Sequence, residues 1–331
     1  MKKIIKQFFT LEKNPKKGLM AYEWVVMTYL VATLIMVAVM HSRLPNTEAM
    51  VMGRLQILAL TGALWGVYRL LPCGLTRAVR AIVQLALLSW WYPDIYELNR
   101  TFPNLDHIFA TWEQSLFGCQ PALLFAQKMG NAVVSELMCL GYACYYPMMA
   151  LVAASVLIWR NEHFERAVFI IIGTFFLHYV IFIALPVTGP QYYYEAVGTG
   201  DIANGIFPNL HDYFNHHQEI MTCPGYQDGV FYGLVESAHE AGERPVAAFP
   251  SSHVGVCLVV MLTAWHFRLR RLFWCLTPFA LLLFLSTVYI RAHYAIDALA
   301  GLASGLICWG LLLWASSGMG KKHSTKKKRK R

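Results

Sequence analysis

The chain has 331 residues, of which 57% are hydrophobic and only 14% charged, with a mean hydropathy of +0.43. A soluble domain carries about 25% charged residues, so a water-soluble globular protein is excluded. The net charge of +9 gathers at the two ends of the chain and does not by itself point to nucleic acid.

The opening residues, 1–20, are basic and lack the short apolar run and cleavage site of a removable signal peptide. Apolar blocks follow, each long enough to cross a hydrocarbon core of about 30 Å as helix. Eight spans are expected, at roughly 22–41, 54–71, 76–92, 132–158, 167–185, 251–267, 272–290 and 294–315. The third has the weakest pattern, because Arg77 and Arg80 crowd its start. The fold class is therefore all-α, a polytopic membrane helical bundle. Two long connections, 93–131 and 186–250, separate the spans.

Alternate sides of this bundle differ in charge. One side holds 22 of the 28 Lys and Arg residues, including both tails. The bias of basic residues toward cytoplasmic loops puts both termini in the cytoplasm and the two long connections on the opposite face. The tail KKHSTKKKRKR, 321–331, then reads as an anchor to anionic headgroups rather than a nucleic-acid arm. The 186–250 connection is rich in Tyr, His, Gly and Pro and too long to be a plain linker.

The eight cysteines are scattered without a CxxC, so neither a zinc site nor a disulfide framework is signalled. Most lie in apolar runs; Cys119 and Cys223 lie in the long connections, and their oxidation state is open.

The chemistry concentrates where spans end on the non-cytoplasmic side. His253 opens the sixth span, while Arg291, His293 and Asp297 lie where the seventh ends and the eighth begins. Ionisable groups at such a boundary are costly and mark a site. His293 and Asp297 are four apart, so a helix puts them on one face. The carboxylate can accept one imidazole N–H and leave the other nitrogen as a nucleophile. Arg291 can fork two phosphate oxygens. Pro250-Ser251-Ser252-His253 opens a helix whose first N–H groups, with the hydroxyls of Ser251 and Ser252, form an anion cradle. His253 can then protonate a leaving oxygen. Read singly, each feature has a plain alternative: a hydrogen-bonded histidine, a serine cap, or half a metal site.

"FPSSH" (249–253) with "YIRAHYAIDALAG" (289–301) resembles the second and third motifs of the type-2 phosphatidic acid phosphatase superfamily. The resemblance implies a six-helix phosphatase-like core and a phosphohistidine mechanism with no metal and no cofactor. His293 would attack phosphorus, Asp297 would orient it, and His253 would protonate the departing alkoxide. Two departures are plain. Ser286 and Thr287 stand where lipid phosphatases of the family carry Ser-Arg, and the first motif, a Lys followed by Arg-Pro, is not evident.

That pattern resembles the inositol phosphorylceramide synthase and sphingomyelin synthase branch. "LPVTGPQYYYE" (185–195) is similar to the segment opening its extramembrane loop, and "LDHIFATWEQSLFG" (105–118) to its upstream amphipathic stretch. The branch implies transfer of a phospho-headgroup, here phosphoinositol, from phosphatidylinositol to ceramide or a related sphingoid lipid. The partners expected are membrane lipids, not nucleic acid. Gln191, Tyr192 and Arg244 are the candidate substrate-binding residues. Tyr192, Tyr193 and Tyr194 also suit a simpler role as interfacial anchors.

On this reading 1–75 holds a basic tail and two accessory helices, 76–315 the catalytic domain with its loop, and 316–331 a cytoplasmic tail. A lipid phosphatase, on phosphatidic acid or an isoprenyl diphosphate, would use the same residues, with water instead of a lipid hydroxyl resolving the intermediate. A transporter would explain the spans but not a cluster at one boundary, since transporters bind near the midplane. His211, His216 and His217 have ligand chemistry but irregular spacing, and "NRT" at 99–101 is a glycosylation sequon.

Overall fold

The structure is a computed structural model that describes residues 8–240 and 242–319. The basic tail at 321–331 lies outside the described residues. Within them the chain is helical, and an isolated bridge between Leu11 and Cys73 is the sole β pairing.

Two helices come first, α1 (Ala21–Val39) and α2 (Thr47–Leu70). They are followed by α3 (Gly74–Ala86) and α4 (Leu88–Asn99), then by the short α5 (Asp106–Phe117) and α6 (Pro121–Lys128). Next come α7 (Ala132–Ala143), α8 (Tyr145–Trp159) and α9 (Phe164–Ala184). The long loop carries α10 (Pro190–Val197), α11 (Thr199–Ala203) and α12 (Val230–Glu240). The chain closes with α13 (Ser252–His266), α14 (Arg270–Tyr289) and α15 (Ala295–Ala315).

Among the described residues, five helical segments are long and apolar enough to cross a membrane: α1, α2, α9 with the turn before it, α14 and α15. A sixth is α7 with α8, if this pair, bent by 44°, counts as one span. The other two expected spans take different forms. The stretch at 76–92 is divided between α3 and α4, which break at Leu87, and α4 carries Pro93 inside it. The stretch at 251–267 forms α13, an apolar helix of only 15 residues.

Charges that looked misplaced in the spans are paired. Arg80 and Glu23 are both fully buried and joined by two hydrogen bonds, tying α3 to the start of α1. Arg54 forks Asp94 at 2.9 and 2.7 Å, tying α2 to α4. A buried charge persists where a partner satisfies it.

α9 is apolar on every face and sits at the centre, against α1 and α4 on one side and α13 and α15 on the other. α13 and α15 cross with almost no side chain between them. A Cβ on Gly301 would stand 2.6 Å from the Ser251 carbonyl oxygen, and one on Gly305 2.7 Å from that of Gly255. Small residues at these points let the two backbones touch.

The loop has its own core. Tyr192, Tyr193 and Tyr194 are buried with Phe109, Leu123, Ile202, Phe214 and Tyr294. The expected role of the three tyrosines as interfacial anchors is therefore corrected. Tyr193 donates to the Pro208 carbonyl and Tyr194 to Gln120, so each hydroxyl finds a partner inside the protein. The sequon is corrected too: Asn99 is buried, and its amide donates to the Phe182 carbonyl, which leaves no room for a glycan.

Candidate active site

The site forms where α13 and α15 begin. Ser251 caps α13, its hydroxyl accepting from the Val254 N–H at 3.4 Å, and its own N–H donates to the Asp297 carbonyl at 3.0 Å. This second bond clamps the two helix starts together above the Gly301 crossing. Ser252 and His253 hold the first two helical positions of α13, where N–H groups have no intrahelical acceptor.

His293 lies in the turn between α14 and α15. Its backbone N–H donates to the carbonyl of Thr287 at 3.0 Å, and the turn bends at Arg291, which has φ +66°. Its Nδ1 lies 2.8 Å from the Ala248 carbonyl oxygen and 3.7 Å from Asp297 Oδ2. The carbonyl can only accept, so Nδ1 carries the proton and Nε2 keeps its lone pair. That Nε2 faces His253 Nδ1 at 3.2 Å, which makes His253 the donor of the pair. His253 is held between Tyr142 and Tyr145, with ring centroids at 4.8 and 4.6 Å. Burial holds the His293 imidazole well below its usual range, at about 4, so it is neutral at physiological pH.

Asp297 sits at the third position of α15, and its Oδ2 accepts the Tyr294 N–H at 2.9 Å, closing a capping box. Its Oδ1 is buried without a hydrogen-bond partner among the described residues. The closer restraint on the ring of His293 is thus the Ala248 carbonyl, with Asp297 behind it.

Two further carboxylates brace the turn from α5. Asp106 accepts from the Thr188 N–H and hydroxyl, the Gly189 N–H, Asn104 and the Tyr294 hydroxyl, so the loop and α15 hang on one side chain. Glu113 accepts the Ile296 N–H at 3.0 Å. Burial raises both groups, Glu113 to about 8. In the sequence both are simply carboxylates in the first long connection, 93–131. Their registers on α5, seven apart and on one face, were the available signal.

The remaining candidates are spread around this centre. Arg291 turns its guanidinium away toward Met221 Sδ, at 3.8 Å, and its Nε is buried without a partner among the described residues. Gln191 donates its N–H to the Arg291 carbonyl, and its side-chain oxygen is buried and free of partners among the described residues. Tyr192 is buried in the loop core. Arg244 reaches Gln218 at the rim, at 3.2 Å, so its side chain bonds within the loop. His217 stacks on Tyr213, and the described residues contain no group of three or more His, Cys, Asp or Glu that could hold a metal ion. Cys119 and Cys223 are free thiols, the latter 3.7 Å from the Cys139 sulfur.

Two cavities flank the histidines. One, of about 490 Å³, is lined by His253, Tyr92, Tyr142, Tyr145, Glu243 and neighbours. The other, of about 340 Å³, is apolar and lies between α14, α15 and the ends of α5 and α6. Sequence reading missed Glu243, which accepts the Tyr92 hydroxyl at 2.9 Å and lies within electrostatic range of His293.

This arrangement offers a nucleophilic nitrogen, a facing proton donor and unpaired helical N–H groups beside apolar space. A family profile described as the PAP2 superfamily matches residues 107–311, well over half of the chain, and spans α5, the loop and both histidines. No curated protein and no solved structure matches.

Proposed function

Since the chain belongs to the PAP2 superfamily, whose members are phosphatases and phosphotransferases acting on membrane lipid phosphates, we propose that it transfers a phospho-headgroup between lipids. The donor is phosphatidylinositol and the acceptor ceramide or a related sphingoid lipid. His293 Nε2 attacks phosphorus, an N–P bond forms, and the P–O bond to diacylglycerol breaks. The negative charge of the bound phosphate favours the imidazolium form of His253, which gives its Nδ1 proton to the departing alkoxide and is left a neutral imidazole. In the second step the acceptor hydroxyl returns a proton to His253, its oxygen bonds phosphorus, and the N–P bond breaks. The N–H groups of Ser252 and His253, with the Ser252 hydroxyl, hold the phosphoryl oxygens.

The observation that supports this reading best is the facing pair itself. One histidine has its proton fixed on the far nitrogen by the Ala248 carbonyl, and the other points a proton at the nitrogen left bare. The two rings must part for a phosphoryl group to enter between them. The active face is the non-cytoplasmic one, with both termini in the cytoplasm. The buried pairs agree with the alternation of sides, Glu23–Arg80 joining two segments at one end and Arg54–Asp94 two at the other. Residues 76–315 form the catalytic core, with α1 and α2 as accessory helices.

The test is turnover of headgroup-labelled phosphatidylinositol by purified protein in mixed micelles, with and without ceramide. Label appearing in a new lipid only when ceramide is present supports transfer. Water-soluble inositol phosphate released regardless of ceramide would make the chain a hydrolase.

A further inference from the structure

In an in-line displacement the leaving group departs opposite the nucleophile. With His293 as nucleophile, the departing alcohol and the alcohol that later attacks must occupy the same side of phosphorus, the side of His253. The 490 Å³ cavity is on that side, because His253 lines it and His293 does not.

Its construction is unusual for a site beside a phosphate. No Lys or Arg lines it among the described residues; its ionisable groups other than His253 are Glu243 and His239, with the phenols of Tyr92, Tyr142, Tyr145 and Tyr146. A carboxyl group there offers a phosphate no positive charge and gives a hydrogen-bond donor an acceptor. Two of its polar atoms await a partner: His239 Nε2 and the Tyr145 hydroxyl oxygen are buried with no hydrogen bond among the described residues, while His239 Nδ1 lies 3.7 Å from Glu236 Oε1. Buried polar groups of this kind are normally satisfied. Both broken spans border it as well. Ser89, Tyr92 and Pro93 follow the break at Leu87, and Tyr142 to Tyr146 straddle the 44° bend at Cys144. Interrupted helix at membrane depth is tolerated where it lines a cavity. Tyr146 and Leu234, both more than half exposed, give the cavity an apolar mouth at the protein surface.

We propose that this cavity is the acceptor-alcohol site, and that Glu243 selects an amphiphilic alcohol carrying a second hydrogen-bond donor, such as an amide N–H, near its reacting hydroxyl. The assignment rests on the transfer reading. The leaving diacylglycerol offers no second donor once its hydroxyl is formed, so Glu243 favours the incoming alcohol over the outgoing one and raises the share of the phosphorylated intermediate that the incoming alcohol captures, without changing the equilibrium of the transfer. His239 and Tyr145 supply the remaining polar contacts.

The experiment compares two acceptors in mixed micelles with the full-length protein and labelled phosphatidylinositol. Ceramide reports forward transfer, and labelled diacylglycerol entering phosphatidylinositol reports exchange through the same intermediate. Glu243→Gln and Glu243→Leu should lower kcat/KM for ceramide by about ten- to a hundredfold, the cost of leaving a buried donor unpaired, and lower diacylglycerol exchange by a smaller factor. Wild-type protein should discriminate against ceramide methylated at its amide nitrogen by a similar factor, a readout that needs no variant. Equal loss with both alcohols, or full activity on the methylated ceramide, overturns the selectivity assigned to Glu243 while the transfer reading stands. If neither alcohol accepts and the headgroup goes to water, the transfer reading fails and the acceptor site with it.

Discussion

Gly301→Ala probes the contact on which the site's geometry depends. The new Cβ would lie 2.6 Å from the Ser251 carbonyl oxygen and 3.0 Å from Val254 Cβ, and ordinary contact begins near 3.4 Å. The start of α13 must therefore move by about 0.8 Å relative to α15. Neither obstacle is the end of a flexible side chain, so the strain cannot be relieved by a rotamer change. Overpacking of this kind costs about 1–3 kcal/mol. The same shift separates His253 from His293 and weakens the Ser251–Asp297 clamp. A misplacement of about 1 Å at reacting groups can lower a rate about a hundredfold. Gly310→Ala is the internal control, since a Cβ there meets nothing within 4 Å and a helical glycine replaced by alanine gains about 0.5–1 kcal/mol. The assay pairs thermal unfolding in detergent with headgroup turnover. Gly301→Ala should unfold earlier and lose about a hundredfold in turnover, and Gly310→Ala should do neither. Equal stability and equal turnover in Gly301→Ala would refute the close crossing as the device that sets the histidine pair.

Glu113 has an ordinary value of 4.5 and is raised to about 8 by burial, so the folded state holds a proton that the unfolded state has lost between those values. Stability should fall as pH rises through that window, and Glu113→Gln should flatten the fall in a melting series from pH 5.5 to 8.5; an unchanged slope would contradict it. His293, lowered to about 4, should give kcat/KM an acid limb near that pH, and a limb near 6.5 would contradict its burial in the working enzyme. Asp94→Ala leaves the Arg54 guanidinium buried without its carboxylate and should cost about 3–5 kcal/mol in unfolding measurements, with Arg54→Met/Asp94→Leu recovering most of it. His253→Gln should slow release of diacylglycerol by about 10²–10⁴-fold in rapid-quench assays with little change in melting temperature, whereas wild-type rates would remove it as the acid.

Much of this was legible in the chain. Apolar block length is a one-dimensional signal, so most spans could be placed; the expectation that His293 and Asp297 share a helix face is corrected, because α15 begins at Ala295 and His293 stays in the turn before it, 3.7 Å from the Asp297 carboxylate. The break at Leu87 was hidden because apolar composition continues across it, and the bend at Cys144 for the same reason. The orienting carbonyl of Ala248 could not be read, since every residue carries a carbonyl and only the fold selects one. Arg291 was assigned to phosphate by charge alone, yet its guanidinium lies against Met221 Sδ. Tyr192 to Tyr194 looked interfacial because tyrosine suits an interface, and a folded loop offered them a drier place. Glu243 was missed because its partners come from α4 and from the turn that carries His293, far away in sequence.

The central claim is that His293 carries the phosphoryl group. Protein mixed with phosphatidylinositol labelled at phosphorus, without acceptor, should be quenched within milliseconds in base, digested and mapped by mass spectrometry. The account predicts a base-stable, acid-labile label on the peptide holding His293, lost on chase with ceramide and absent in His293→Ala. A label on His253 instead, or full turnover with no labelled protein at any time, would contradict it.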